Sequence, residues 1–252
     1  IGLTPNRCDA ISHAGVARDL YAALTQDGKS CSPLILPNAP EVKPIANVSF
    51  RVDVIVENTK DCPRYTGLLL DNVKVSDSPE WLQTKLKSVG IRPINNVVDV
   101  TQYIMLEIGQ PMHAFDADKI TGNKVVVRNL PEGTPFVTLD GNEVKLSAND
   151  LMICNAQEGM CIAGVYGGLH SGITESTTRV FLESAYFNPV SIRKTAKRHG
   201  LKTDASFRYE RGCDPSITVY AIQRAAELIQ EFSGASVISD IIDCYPNKIE
   251  PA

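Results

Sequence analysis

The chain has 252 residues, 43% hydrophobic and 21% charged, enough for one large or two small globular domains with an ample core. No run comes near the roughly 18 apolar residues of a membrane helix, and no basic–apolar–small leader opens the chain. A net charge of −4 argues against bulk affinity for nucleic acid, so any such contact must come from a local basic patch or from other parts of a longer protein.

Ile1 is not Met, and the opening reads as the interior of a longer chain. Residues 9–25 are predicted to form an amphipathic helix capped by Asp9, with Ile11, Ala14, Ala17, Leu20 and Leu24 on one face. Gly28 to Pro44 is loop-like and marks a boundary. Val48 to Glu57 alternates as a half-buried strand, and Tyr65 to Val75 reads as another. Ser78-Pro79-Glu80 signals a helix start, with Trp81, Leu82, Leu86 and Val89 as its buried stripe and Gly90 as its end. Asn95 or Asn96 caps the next helix, which runs to Gly109.

Short strands then follow in KVVVR, FVTLDGNEVKL, DLMIC and MCIAGV, with a hairpin turn at Asp140-Gly141. Asn188-Pro189 opens a helix ending at Gly200, and Asp214-Pro215 opens a last one ending near Gly234. Helices at both ends and strands between Lys124 and Glu183 predict an α+β fold, with mixed or antiparallel central sheets and peripheral helices.

Seven scattered cysteines, none in a C-x-x-C pair, signal neither a zinc site nor a redox motif and suit a reducing cytosol. The glycines of AGVYGG (Ala163 to Gly168) allow close backbone approach but match no nucleotide-binding loop. No H-E-x-x-H, G-x-S-x-G or acidic calcium loop occurs. Of four histidines, His13 and His199 read as structural, and His170 could line a pocket. His113, in the turn-like GQPMHAFD, stands at a rim. Glu183 lies on the same strand face as Phe181, either salt-bridged or placed in a pocket as a recognition acid. Arg193, Lys194, Lys197, Arg198 and Lys202 form the dense basic patch; they suit the end of a helix, and Arg208 and Arg211 downstream tilt the reading towards phosphate contact.

Two long runs, VGIRPINNVVDVTQYIMLEIGQPMHAFD (Val89 to Asp116) and FLESAYFNPVSIRKTAKRHGLKTDASFRYERGCDP (Phe181 to Pro215), resemble the editing module of bacterial phenylalanyl-tRNA synthetase β subunits. The resemblance divides the chain into residues 1–44, returning to a first domain, residues 45–245, the editing module, and residues 246–252, a linker. It implies a cytoplasmic α2β2 enzyme and hydrolysis of tyrosine wrongly esterified to tRNA(Phe). No cofactor or metal is implied for this stretch; ATP and Mg belong to the full synthetase. By the same resemblance, Glu183 receives the tyrosine hydroxyl and His113 stands beside the ester, with either Asn95 or Asn96 near it. Gly167, Thr203 and Ala205 shape the pocket. His113 would orient the attacking water or take its proton, or the terminal ribose hydroxyl would assist. Phe207 departs from the family, which commonly has His there. The alternative is a non-catalytic module contacting tRNA or the α subunit.

Overall fold

The computed structural model describes residues 2–29, 31–46 and 48–249. Ile1, Ser30 and Asn47, and residues 250–252 of the expected linker, lie outside them. Helix α1 (His13–Gln26) leads through an extended stretch to β1 (Asp53–Val56) and β2 (Arg64–Asp71). Helices α2 (Glu80–Ser88) and α3 (Asn96–Ile108) precede β3 (Met112–Asp116). Short strands follow: β4 (Lys124–Asn129), β5 (Pro135–Val137), β6 (Glu143–Lys145), β7 (Leu151–Cys154), β8 (Gly159–Ile162) and β9 (Tyr166–Gly167). The long β10 (Val180–Tyr186) is succeeded by α4 (Pro189–His199), α5 (Asp204–Tyr209), α6 (Thr218–Ser233), β11 (Ser236–Val237) and β12 (Ile242–Cys244). The fold is α+β.

Most local signals act as the sequence predicts. Asn188 caps α4 with Pro189 in the first turn, and Gly200, Gly109 and Gly234 close their helices in the left-handed conformation. Asp140-Gly141 lies in the loop joining β5 to β6. Five expectations need correction. Ser12, not Asp9, caps α1, because Asp9 is drawn into ion pairs with Arg7 and Arg18. Much of α1 remains exposed, Leu20 included. The strand expected over Val48 to Glu57 is confined to β1, since its partner β4 begins only at Lys124 and leaves nothing upstream to pair with. Pro79 takes the cap position of α2, and Ser78 instead donates to Asp99 at 2.6 Å. Trp81 and Val89 are exposed, Trp81 resting edge-on against Tyr103 and Phe232.

Strands β11, β2, β10 and β3 form an antiparallel sheet, with β12 extending the outer edge of β2. A second sheet runs β1-β4-β7-β8-β9, parallel only between β1 and β4. Strand alternation splits the first sheet between two cores. Leu68, Leu70, Ala114, Val180 and Leu182 face helices α2, α3 and α6. Tyr65, Leu69, Phe115, Phe181 and Ala185 face the second sheet, with α4 and α5 completing that core through Ile192, Ala196 and Tyr209. Each such Leu, Val, Ile or Phe side chain contributes roughly 1.5–3 kcal/mol by leaving water.

Candidate functional site

The face towards the second sheet is apolar except along one row. There Glu183 on β10 pairs directly with His113 on β3 and with Gly67 on β2. Directly opposed residues of antiparallel strands have Cβ atoms about 5 Å apart, so the carboxyl and the imidazole are neighbours. Tyr65, two residues from Gly67 and on its face, donates its hydroxyl to Glu183 Oε2 at 3.0 Å. Oε1 of Glu183 has no hydrogen-bond partner among the described residues. The Phe181 ring fills the space over Gly67, where a Cβ would come within 2.5 Å of it.

Desolvation disfavours the charged form of both titratable groups, Glu183 being buried and His113 half-buried. Glu183 is 3% exposed, and desolvation pushes its pKa up to about 8, against the smaller lowering by the Tyr65 hydroxyl. The His113 ring packs edge-on against Phe115 at 4.4 Å, and desolvation pushes its pKa down to about 4. At neutral pH the row therefore holds a carboxylic acid and an uncharged imidazole, and no ion pair.

The loop before and within β9 covers this row. A Cβ on Gly167 would stand 3.1 Å from Cε1 of His113, so the glycine lets the backbone lie on the imidazole. The loop is fixed from α5. Thr203 caps that helix, accepting from the Ser206 amide, and its hydroxyl donates to the Val165 carbonyl at 3.1 Å. Ala205 packs, half-buried, against the same core. His113, Glu183 and Gly167 thus adjoin one another, with Thr203 as a brace for the covering loop whose hydroxyl is already engaged, while Ala205 is placed only as part of the surrounding core.

Asn95 and Asn96 do not join them. The Asn95 side chain accepts from the amides of Val97 and Val98 as the cap of α3. Asn96 is buried and donates to the carbonyls of Lys74 and Phe232. Both belong to the helix layer, on the opposite side of the sheet from His113 and Glu183, with Asn95 on the start of α3 and Asn96 on the coil before α2 and the end of α6. The basic patch also divides. Arg193, Lys194, Lys197 and Lys202 are exposed and unpaired among the described residues. Arg198 is bound to Asp150, whose carboxylate also takes His199 Nε2 at 2.6 Å and Thr195 Oγ1 at 3.0 Å. This fully buried Asp150 ties α4 to the second sheet, a role that the spacing of 48 residues to Arg198 concealed.

His13 bonds the Leu106 carbonyl. His170 lines a cavity of about 350 Å³ with Lys119, Phe136, Glu158 and Met160, beyond Gly168 and without His113 or Glu183 in its wall. Tyr65 and Gly67 were missed from sequence, although a glycine inside the apolar strand RYTGLLLD signals close packing. Among the described residues no group of three His, Cys, Asp or Glu side chains could hold a metal ion, and all seven cysteines are free.

The family model for the B3/4 domain matches residues 61–234, a span that contains every residue of this row and its covering loop. The chain belongs to the B3/4 domain family. A phenylalanine–tRNA ligase beta subunit of Bacteroides fragilis is 57% identical over 243 residues, 96% of this chain and 29% of that protein. The subunit of Porphyromonas gingivalis is 51% identical over 253 residues, 100% of this chain and 30% of its own length. The likeness to β subunits read from the two long runs therefore holds, and this B3/4 chain spans about three-tenths of the relatives it matches. An N-terminal fragment of the phenylalanyl-tRNA synthetase beta-subunit from Pyrococcus horikoshii is similar at 18% identity with a TM-score of 0.41, over 79% of this chain and 60% of that one.

Proposed function

We propose that this B3/4 chain hydrolyses tyrosine wrongly esterified to tRNA(Phe), serving fidelity within a phenylalanyl-tRNA synthetase whose α subunit, in an α2β2 assembly, performs synthesis. The observation that supports this reading most is the row itself: Glu183 and His113 in direct register, under a glycine backbone, with one carboxyl oxygen held by Tyr65 and the other without a partner. A site for the phenyl ring alone discriminates weakly against an added hydroxyl. A second site that hydrogen-bonds the hydroxyl discriminates well, because the analogue lacking it leaves a buried polar group unpaired. Glu183 Oε1 takes that part in the proposal, as a specificity element.

His113 stands beside the ester. An imidazole with a pKa of about 4 is a weak base at neutral pH, so it orients the attacking water through a ring nitrogen better than it removes a proton. Backbone amides stabilise the developing oxyanion. Proton transfer then falls to solvent or to the terminal ribose hydroxyl, and the proposed mechanism uses no metal.

The test is deacylation of Tyr-tRNA(Phe) by this chain at high concentration, beside Glu183→Ala and a Phe-tRNA(Phe) control. Selective loss of the tyrosyl ester, abolished with Glu183, is the expected result. Hydrolysis only when the domain sits in the full α2β2 enzyme would mean that other domains deliver the tRNA. Silence in both settings would sink the hydrolytic reading. It would favour a module that only contacts tRNA or the α subunit, as the unpaired Arg193, Lys194, Lys197 and Lys202 would also allow.

A further inference from the structure

Helix α5 carries two aromatic side chains with opposite fates. Tyr209 is buried and donates to the carbonyls of Pro111 and Ala185, whereas Phe207 is 44% exposed. Phe207 is not bare. The guanidinium carbon of Arg211 lies 3.6 Å from the centre of its ring, while Arg211 donates to the Phe207 carbonyl at 2.9 Å and to Glu210 at 2.7 Å. The pair makes a flat, amphipathic plate whose cation is largely compensated by Glu210.

Its position matters more than its composition. Phe207 follows Thr203 by one helical turn, its amide donating to the Thr203 carbonyl at 2.9 Å, and Arg211 lies in the turn just beyond α5. The plate thus lies one turn from Thr203, the residue that holds Val165 and so steadies the loop over His113. Lys202 is exposed just before Thr203, and Lys194 and Lys197 are exposed on α4, which packs against α5. The exposed Asp204 disfavours phosphate at the first turn of α5 and leaves the lysine side as the path for a polyanion.

We propose that the Phe207–Arg211 plate receives the 3′-terminal nucleobase of the RNA substrate. This rests on the hydrolytic reading for the placement of the ester. An aminoacyl ester is carried on the terminal ribose, so a base held on the plate, which joins the loop over His113 through Thr203 and Val165, would fix the ester in place. Aromatic stacking accepts any base, and Arg adds a second planar surface. The exposed lysines would follow the preceding phosphates.

The test uses this chain and a deacylated RNA hairpin with a short single-stranded 3′ tail, beside the same hairpin lacking its last nucleotide. Phe207→Ala is expected to weaken binding of the complete hairpin about ten- to a hundredfold and to leave the shortened one unchanged. Phe207→Trp is expected to retain binding, with its emission quenched by the complete hairpin after subtraction of the Trp81 signal. Equal affinities for wild type and Phe207→Ala, an equal loss on both hairpins, or no binding by the wild type would each overturn the proposal. Because the RNA carries no ester, a chain that shows the stacking signal but hydrolyses nothing would fail the hydrolytic reading alone.

Discussion

Glu183 and His113 are displaced from their ordinary pKa values in opposite directions by one cause, and stability should record both. Between about pH 4.5 and 6.5 the folded chain keeps a proton on Glu183 that the unfolded chain has lost, and lacks a proton on His113 that the unfolded chain has gained. The two contributions to the slope of stability with pH cancel there. From about pH 6.5 to 8 only Glu183 differs, the folded state binds the extra proton, and stability falls by about 2 kcal/mol across the window. Glu183→Gln should remove that decline, measured as urea unfolding at successive pH values; a parallel decline in the variant would assign it elsewhere. Glu183 was legible in sequence because it places a polar group in an apolar alternating run; His113 was singled out by the resemblance, and the turn expected around it is instead strand β3, held by pairing with β10. Tyr65 was not, because its bond to Glu183 joins positions 118 apart, and no local pattern encodes that pairing.

Caps and glycines set the elements, and they separate residues that look alike in sequence. Asn95 stood in sequence as a candidate beside the ester, yet its oxygen serves two amides of α3 on the other side of the sheet. Asn95→Ala should therefore destabilise the chain by about 1 kcal/mol and leave hydrolysis per folded molecule unchanged, read as a shift in denaturant midpoint beside an activity titration. Gly167→Ala should do the reverse. Its methyl would press on the imidazole at 3.1 Å, so activity should drop at least tenfold with little change in thermal midpoint. Helix boundaries at Asn188, Gly109 and Gly200 were readable because their chemistry is local. The curtailed β1 and the exposed Trp81 were not, because partner availability and the packing of α2 on Tyr103 and Phe232 are tertiary facts.

The whole molecule is built around a shared sheet whose two faces belong to different cores. Leu182, adjacent in sequence to Glu183, packs among the helices, so Leu182→Ala should cost roughly 2–5 kcal/mol through a cavity far from the site's chemistry. Thermal unfolding should show the loss, while the folded variant keeps whatever discrimination between tyrosyl and phenylalanyl esters the wild type shows in the deacylation assay. The α+β class followed from the order of elements. The division into two cores follows from strand register, which composition does not reveal.

The neutral row has an implication for what can sit on it. The same desolvation that holds a proton on Glu183 and keeps one from His113 acts on any guest that enters. A side chain bearing a formal charge would have to shed its hydration with no opposite charge to meet it, whatever its size. On the hydrolytic reading, the row would thus act as a dielectric sieve: it would turn away aspartate-, glutamate-, lysine- and arginine-like groups by polarity alone, leaving shape and a single hydrogen bond to sort the uncharged remainder.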